Sequence, residues 1–364
     1  MTTSSSSPQA RYRSLSGGAS GDKAYDEERT EWGAVSLGTT YGFPKKYMRL
    51  PRLRRVAVCL LVIDLLIVIL VVHAFGPLIT LLRRNEELFG ARLTFPVDDP
   101  SSPKPDPDRQ TIPRILHQTT ANATVPEKWA AAQQSCKDVY ADWEYKHWTD
   151  ESARNFIAAE YPEYLEIYDG YAYPIIRADA MRYFFLHHYG GVYLDMDTIC
   201  NETFPLHQLE ADGEPHHAVF KSTKPTGVSN DLMISSPHHP LFTRALKKLV
   251  LYNDITKYWA RFQPYGAIMI TAGPLFITMA IKDYLLDLPS LPTPTFQVIN
   301  ATELIPYITD LEACSWHHAD AQALMWIGDR PFIWFGLGAI GLAAGIHVTN
   351  HLLLKAFKRL GKVM

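Results

Sequence analysis

The sequence predicts an α/β domain with a mostly parallel sheet, flanked by one N-terminal and one C-terminal transmembrane helix. Three observations carry that prediction. Two long apolar runs are bordered by basic clusters, strand-like stretches alternate with helical ones between them, and a pair of acids directly follows an apolar strand. The chain has 364 residues, 47% of them hydrophobic, and a net charge of −3, so it carries no electrostatic footprint of a nucleic-acid binder.

Residues 1–44 are rich in Ser, Thr and Gly and too poor in large apolar side chains to bury a core, which reads as disorder. Lys45, Lys46, Arg49, Arg52, Arg54 and Arg55 then form a basic juxtamembrane cluster, so 1–55 is expected to be a cytosolic tail. Val56–Phe75 contains one charge, Asp64, and fifteen Val, Ile, Leu or Phe residues. At about −0.4 kcal/mol each these supply roughly −6 kcal/mol, against about +3 kcal/mol for a central Asp, and insertion wins. The first span is expected over 56–82. At the other end, 331–354 holds no Asp, Glu, Lys or Arg, is long enough to cross a bilayer, and precedes a basic tail at 355–364. Basic flanks outside both spans put both termini in the cytosol and the middle of the chain in the lumen. The sequons at Asn122, Asn201 and Asn300 all fall in that middle. So do Cys136, Cys200 and Cys314, which allow one intrachain disulfide of undetermined pairing.

Six prolines between 96 and 113 predict a semi-extended stem, assigned to 83–110, ahead of a folded domain at 111–330. Within it "RILHQT" (114–119) reads as a first strand. "PEKWAAAQQSC" reads as a helix with Pro126 in its first turn, and "WEYKHWT" as a second strand. "DESARNFIAAEY" reads as a helix capped by Thr149 or Asp150. The apolar spacing of "YPIIRADAMRYFFLHHYGG" is helical and stops at Gly190-Gly191, and "VYLDMD" follows as a buried strand. Alternation along a strand puts Asp195 and Asp197 on one side, in the crevice beyond the strand ends where open α/β sheets bind ligands. Two acids there suit Mn²⁺ or Mg²⁺ bridging a nucleotide diphosphate.

The stretches "IPRILHQT", "VPEKW", "WEYKHWTDES", "YPIIRADAMRYFFLHHYGGVYLDMDT" and "GVSNDLM" together resemble the DxD-containing glycosyltransferase family 32. "KPTGVSNDLMISSPHHPLF", "TAGPLF" and "CSWHHAD" resemble its fungal members that mannosylate inositol phosphorylceramide, and the likeness runs over about 111–325. The resemblance implies a GT-A fold, a GDP-mannose donor, a divalent metal and retention of anomeric configuration. It implies sphingolipid biosynthesis in the Golgi membrane and a regulatory transmembrane subunit. The same-family alternative is a protein N-glycan mannosyltransferase, against which the second span speaks. A non-catalytic partner with the same fold is disfavoured by the intact acidic motifs.

The resemblance also distributes roles. Asp195, Asp197 and His317 would hold the metal. Asp179 and Arg182, an Asp-x-x-Arg ahead of the acidic pair, would hold donor sugar and phosphates, with Arg177 as a further phosphate contact. Asn230 and Asp231, read as residues of a Gly-containing loop, join the catalytic set. Ser315 and Trp316 would close over the diphosphate, and His117 and Gln118 would line the nucleotide. Between domain and membrane, Tyr258, Trp259, Phe262 and Tyr265 have the amphipathic rings that favour an interface. Gly341 and Gly345 form a small-residue face suited to close helix approach, toward a partner or the first span.

Overall fold

The computed structural model describes residues 52–95, 111–210, 214–224, 226–311, 326 and 330–363. In chain order the helices and strands are α1 (Arg52–Ala74), α2 (Gly76–Arg83), α3 (Asn85–Phe89), β1 (Ile115–Thr119), α4 (Glu127–Val139), β2 (Glu144–Trp148) and α5 (Asp150–Glu160). They continue with α6 (Leu165–Asp169), α7 (Pro174–Tyr189), β3 (Gly191–Leu194), β4 (Thr198–Cys200), α8 (Leu206–Leu209), β5 (Ala218–Ser222) and β6 (Val228–Ser235). The last are α9 (Pro240–Thr256), α10 (Pro264–Thr271), α11 (Pro274–Leu286), β7 (Phe296–Ile299), α12 (Ala301–Leu304), β8 (Ile308–Asp310) and α13 (Pro331–Val363).

Six strands form one sheet in the order β2-β1-β3-β6-β5-β7, with β4 and β8 paired separately. Five of the six run the same way. β6 alone is reversed, antiparallel to both β3 and β5. Side chains alternate across the sheet and build two cores. Tyr193, Phe220 and Met233 join α5, α7, α9 and α11 on one face. Val192, Leu194, Val219 and Leu232 join α4 and α8 on the other. The expected α5 cap is present: Thr149 Oγ1 accepts from Ser152 N–H and Ser152 returns the bond to Thr149 N–H. Gly190 and Gly191 turn α7 into β3 with φ of 66° and 92°, where a Cβ on Gly191 would stand 2.5 Å from Ile115 O.

Cys136 on α4 and Cys200 on β4 form a disulfide between buried side chains, the pairing the sequence left open. It spans 64 residues and limits the freedom of the unfolded chain.

The boundaries expected at the domain's N-terminal side require correction. The first apolar helix ends at Ala74 and not at residue 82. α2 turns onto the domain and buries Leu81 completely, and Leu88 and Phe89 of α3 enter the same core as α7 and α11. Leu93 extends the sheet by a parallel bridge to Ile299. Residues 83–95 are thus part of the folded body because their apolar side chains have a core to fill. The proline-rich remainder, 96–110, lies outside the described residues. At the other end α13 continues through the basic tail as far as Val363.

α1 and α13 are each long and apolar enough to cross a membrane, and a third such stretch, Pro264–Leu286, is more than half buried inside the domain. Asp64 Oδ2 accepts a hydrogen bond from Asn350 Nδ2 at 2.5 Å, so the single acid of the apolar run in α1 is matched by a polar group on α13. A Cβ at Gly341 or Gly345 would meet nothing within 4 Å. This overturns packing of that face on α1.

Candidate functional site

Asp195-Met196-Asp197 joins β3 to β4. The strand ends at Leu194, so alternation along it is not what relates the two acids. The chain leaves the main sheet here because β4 must pair with β8, and the reversal is closed by Thr198 N–H donating to Asp195 O at 3.2 Å. Asp197 O in turn accepts from Leu311 N–H at 3.1 Å, which brings the chain just beyond β8 beside the acidic turn.

Arg182, on α7 and 6% exposed, organises the centre. Its guanidinium contacts Asp179 Oδ1 at 3.1 Å and Asp195 Oδ1 at 3.0 Å, donates to Asn230 O at 2.8 Å, and lies over the Tyr193 ring. The i,i+3 spacing of α7 sets the first contact. Asn230 Nδ2 donates to Asp179 Oδ1 at 3.1 Å, and Tyr193 Oη donates to Asp195 Oδ1 at 2.8 Å. Asp231 Oδ2 pairs with Lys221 Nζ, which also reaches Asp310 Oδ2 at 3.0 Å. Asn230 and Asp231 are strand residues of β6, not loop residues: pairing with β5 carries the strand on to Val228, and Asp195 N–H, just past β3, donates to Asp231 O at 3.0 Å. Just upstream, Asn85 Oδ1 accepts from Thr226 Oγ1 and from Gly227 N–H, tying α3 to the start of β6.

Burial pushes the Asp179 carboxyl up to about 6 against the pull of Arg182 and Asn230. Asp195 is pushed to about 7, first by burial, with Asp231 and Asp197 adding to the rise and Arg182 opposing it. Asp231 Oδ1 is buried without a hydrogen-bond partner. A buried carboxyl raised further by two neighbouring acids, beside an orphaned carboxylate oxygen, is the signature of a centre short of positive charge. The donors are all oxygens, which suits Mn²⁺ or Mg²⁺. Among the described residues no three His, Cys, Asp or Glu side chains converge as a complete cage. Ligands beyond the carboxylates would therefore come from phosphate and water, as is usual for such ions.

The structure brings together Asp179, Arg182, Asp195, Asn230 and Asp231. It adds Tyr193, Lys221 and Asp310, for which the sequence offered little signal. Lys221 reaches Asp231 only through the β5–β6 pairing, whose register shifts between Phe220 and Ser222. Gln118 lies beneath the turn, its Nε2 donating to Asp195 O at 3.4 Å while its Oε1 accepts from Tyr145 Oη. Arg177 is half-buried and turned toward Asp150 and Asp169, whose carboxylates its charge favours. Ser315, Trp316 and His317 lie outside the described residues.

His117 is a correction. Its side chain is fully buried, stacked against Trp148 and Phe185 on the α7 face of the sheet, and lines no open crevice. Trp148 Nε1 donates to Nδ1 at 3.0 Å, which leaves the proton on Nε2 to be donated to Gly190 O at 2.9 Å. The ring ties β1, β2 and the α7–β3 turn together. Burial depresses its pKa to about 4. The stability gained by holding it neutral is full above the unfolded value near 6.5 and is lost as pH falls toward 4. His187 and His239, also lowered to about 4 by burial, act in the same window. The unfolding midpoint of the full chain should therefore drop steeply from pH 6.5 to 4.5. His117→Gln should remove up to about 1.4 kcal/mol per pH unit from that slope. An unchanged slope would contradict a neutral, buried imidazole.

A mixed α/β sheet with an acidic turn at the end of β3 and a buried Asp-x-x-Arg behind it defines the class of sugar-transferring enzymes that use an Asp-x-Asp motif. Comparison with known proteins agrees. The family described as "Glycosyltransferase sugar-binding region containing DXD motif" matches residues 126–214. Mannosyl phosphorylinositol ceramide synthase SUR1 of Saccharomyces cerevisiae is 44% identical over 52% of this chain and 46% of its own. Inositol phosphoceramide mannosyltransferase 2 of Schizosaccharomyces pombe is 40% identical over 59% of this chain and 61% of its own. Inositol phosphoceramide mannosyltransferase 1 of the same yeast is 32% identical over 66% and 72%. The chain belongs to this DXD-containing glycosyltransferase family. It spans about half the length of the first of these relatives and 61% of the second. Among solved structures, the PaToxG glycosyltransferase covers 49% of this chain at 16% identity and a TM-score of 0.34, too slight a likeness to build on.

Proposed function

We propose that the chain transfers mannose from GDP-mannose to inositol phosphorylceramide with retention of configuration, at the Golgi membrane, with both termini cytosolic and the α/β domain lumenal. The observation that carries this reading is the Arg182-centred cluster inside the stretch that matches the DXD family, in a chain whose relatives are named for mannosyl transfer to that lipid. Two helices apolar enough to span a bilayer suit an acceptor that never leaves it.

Cleavage of the sugar–phosphate bond accumulates negative charge on the departing diphosphate. Asp195 and Asp197 would hold Mn²⁺ or Mg²⁺, which when bound would supply charge neutralisation for the leaving group. Arg182 fixes the Asp195 carboxylate and adds a buried positive charge. Asp179 and Asn230 hold Arg182 in place, and Tyr193 orients the same carboxylate oxygen. Leu311 N–H donates to Asp197 O at 3.1 Å, which keeps the chain just after β8 beside the acidic turn.

The test is mass-spectrometric detection of mannosylated lipid. Full-length protein in vesicles containing inositol phosphorylceramide is supplied with GDP-mannose and Mn²⁺, and an N-glycan acceptor is assayed in parallel. Mannose on the lipid is the expected result. Transfer to the glycan alone, or to neither, defeats the proposal.

A further inference from the structure

We infer that a second membrane contact exists on the catalytic domain itself, along the exposed stripe Leu251, Ile255, Tyr258 and Phe262. This rests on the reading that α1 and α13 cross a bilayer.

α9 is amphipathic in an unusual way. Its first half buries Leu241, Phe242, Ala245, Leu246 and Leu249 in the core. Its second half and the turns that follow leave Leu251 55%, Ile255 50%, Tyr258 79% and Phe262 87% exposed. Steps of four, three and four residues put these four side chains on one face of a helical path, continued past Thr256 by backbone bonds such as Lys257 N–H to Asn253 O and Ala260 N–H to Thr256 O. Single exposed apolar residues are ordinary, but a continuous stripe ending in two almost fully exposed rings is a surface built to be covered. Of the four aromatics 258–265, Trp259 and Tyr265 are half-buried, and Tyr258 and Phe262 alone project.

The occupant follows from what surrounds the stripe. Exposed Lys247, Lys257 and Arg261 border it together with one acid, Asp254, which pairs with Lys257 Nζ at 2.6 Å, and Lys257 Nζ lies 5.1 Å from the Tyr258 ring centroid. Aromatic rings flanked by long basic side chains are the composition of a headgroup–acyl boundary, where the apolar body sinks and the charge stays wet. The stripe is also linked to the anchor. α9 and α2 both pack against α11, and Lys282 Nζ of α11 donates to Pro77 O of α2 at 3.5 Å. α2 starts two residues after α1 ends and shows a stripe of its own, Phe75, Ile79 and Leu82, each about two-fifths exposed, opposite buried Leu81. The helix next to the bilayer and the helix that leads into the ring pair thus belong to one packed layer. The domain rests on the lipid surface instead of hanging from a flexible stem.

The experiment uses full-length protein carrying Cys59→Ser and Cys314→Ser, reconstituted into phosphatidylcholine vesicles with and without a minor share of phosphatidylinositol. Single cysteines replace Tyr258, Phe262, Ala131 on the opposite layer of the domain, and Leu353 in α13, and each carries a small fluorophore. Lipids spin-labelled near the headgroup should quench positions 258 and 262 several-fold more than position 131, and aqueous iodide should do the reverse. Quenching at 353 reports on the spans independently. If 353 is quenched by lipid while 258 and 262 behave like 131, the spanning reading stands and this inference fails. Protection of 258 and 262 from both quenchers also overturns it, since the stripe would then be covered by protein.

Discussion

Asp195→Asn should abolish sugar transfer, by on the order of 10²–10³-fold or more, while leaving the folded chain at least as stable as before. Asparagine keeps the Oδ1 acceptor that receives Arg182 and Tyr193, so the scaffold around it has no reason to collapse. What it removes is one negative charge, and it replaces the second carboxylate oxygen with an N–H donor that repels a cation. The sign of the stability effect follows from the carboxyl's raised pKa of about 7. A folded-state value above the unfolded one means that ionisation of Asp195 costs stability as pH rises through 7. An uncharged side chain avoids that cost. Turnover with Mn²⁺ and the thermal midpoint, measured together at pH 7.5, check both halves. Asp197→Asn should lose activity to a similar degree. Near-normal turnover in Asp195→Asn at an unchanged midpoint would remove the acidic turn from the reaction.

Arg182→Met should be the most damaging single change to stability at the site. The guanidinium is 7% exposed on its side chain and neutralises Asp179 and Asp195 at 3.1 and 3.0 Å. Removing one partner from a buried ion network strands the others, at roughly 3–5 kcal/mol, which for a domain of this size lowers the midpoint by about 10 °C. Arg182→Met combined with Asp179→Asn should recover part of the lost stability because one stranded charge is gone, and none of the activity. If Arg182→Met is inactive at an undisturbed midpoint, Arg182 serves only as a contact for the donor and the buried network carries no structural weight.

Asn85 adds a mechanical link between α3 and the site. It holds Thr226 and Gly227, and Gly227, at φ 88°, has Thr278 where a Cβ would go. The start of β6, the strand that carries Asn230 and Asp231, is therefore held by α3 on one side and by α11 on the other.

Much of this molecule follows from local chemistry alone. The two apolar helices, the α5 cap at Thr149, the glycine turn after α7 and the pairing of Asp179 with Arg182 each depend on residues within one or two helical turns, so composition and spacing suffice to read them. Asp195 and Asp197 are legible for the same reason, although their relation comes from a turn and not from strand alternation. Long-range pairing decided the rest. Burial of His117 depends on Trp148 and Phe185 arriving from β2 and α7. Lys221 joins Asp231 through a shifted β5–β6 register, and Cys136 meets Cys200 because α4 packs on β4. Residues 83–95 become part of the body because the far side of the domain offers Leu88 and Phe89 a core. Whether a side chain is buried, paired or exposed depends on what the fold brings against it, and that is settled by contacts dozens to hundreds of residues apart, beyond the range of any local pattern.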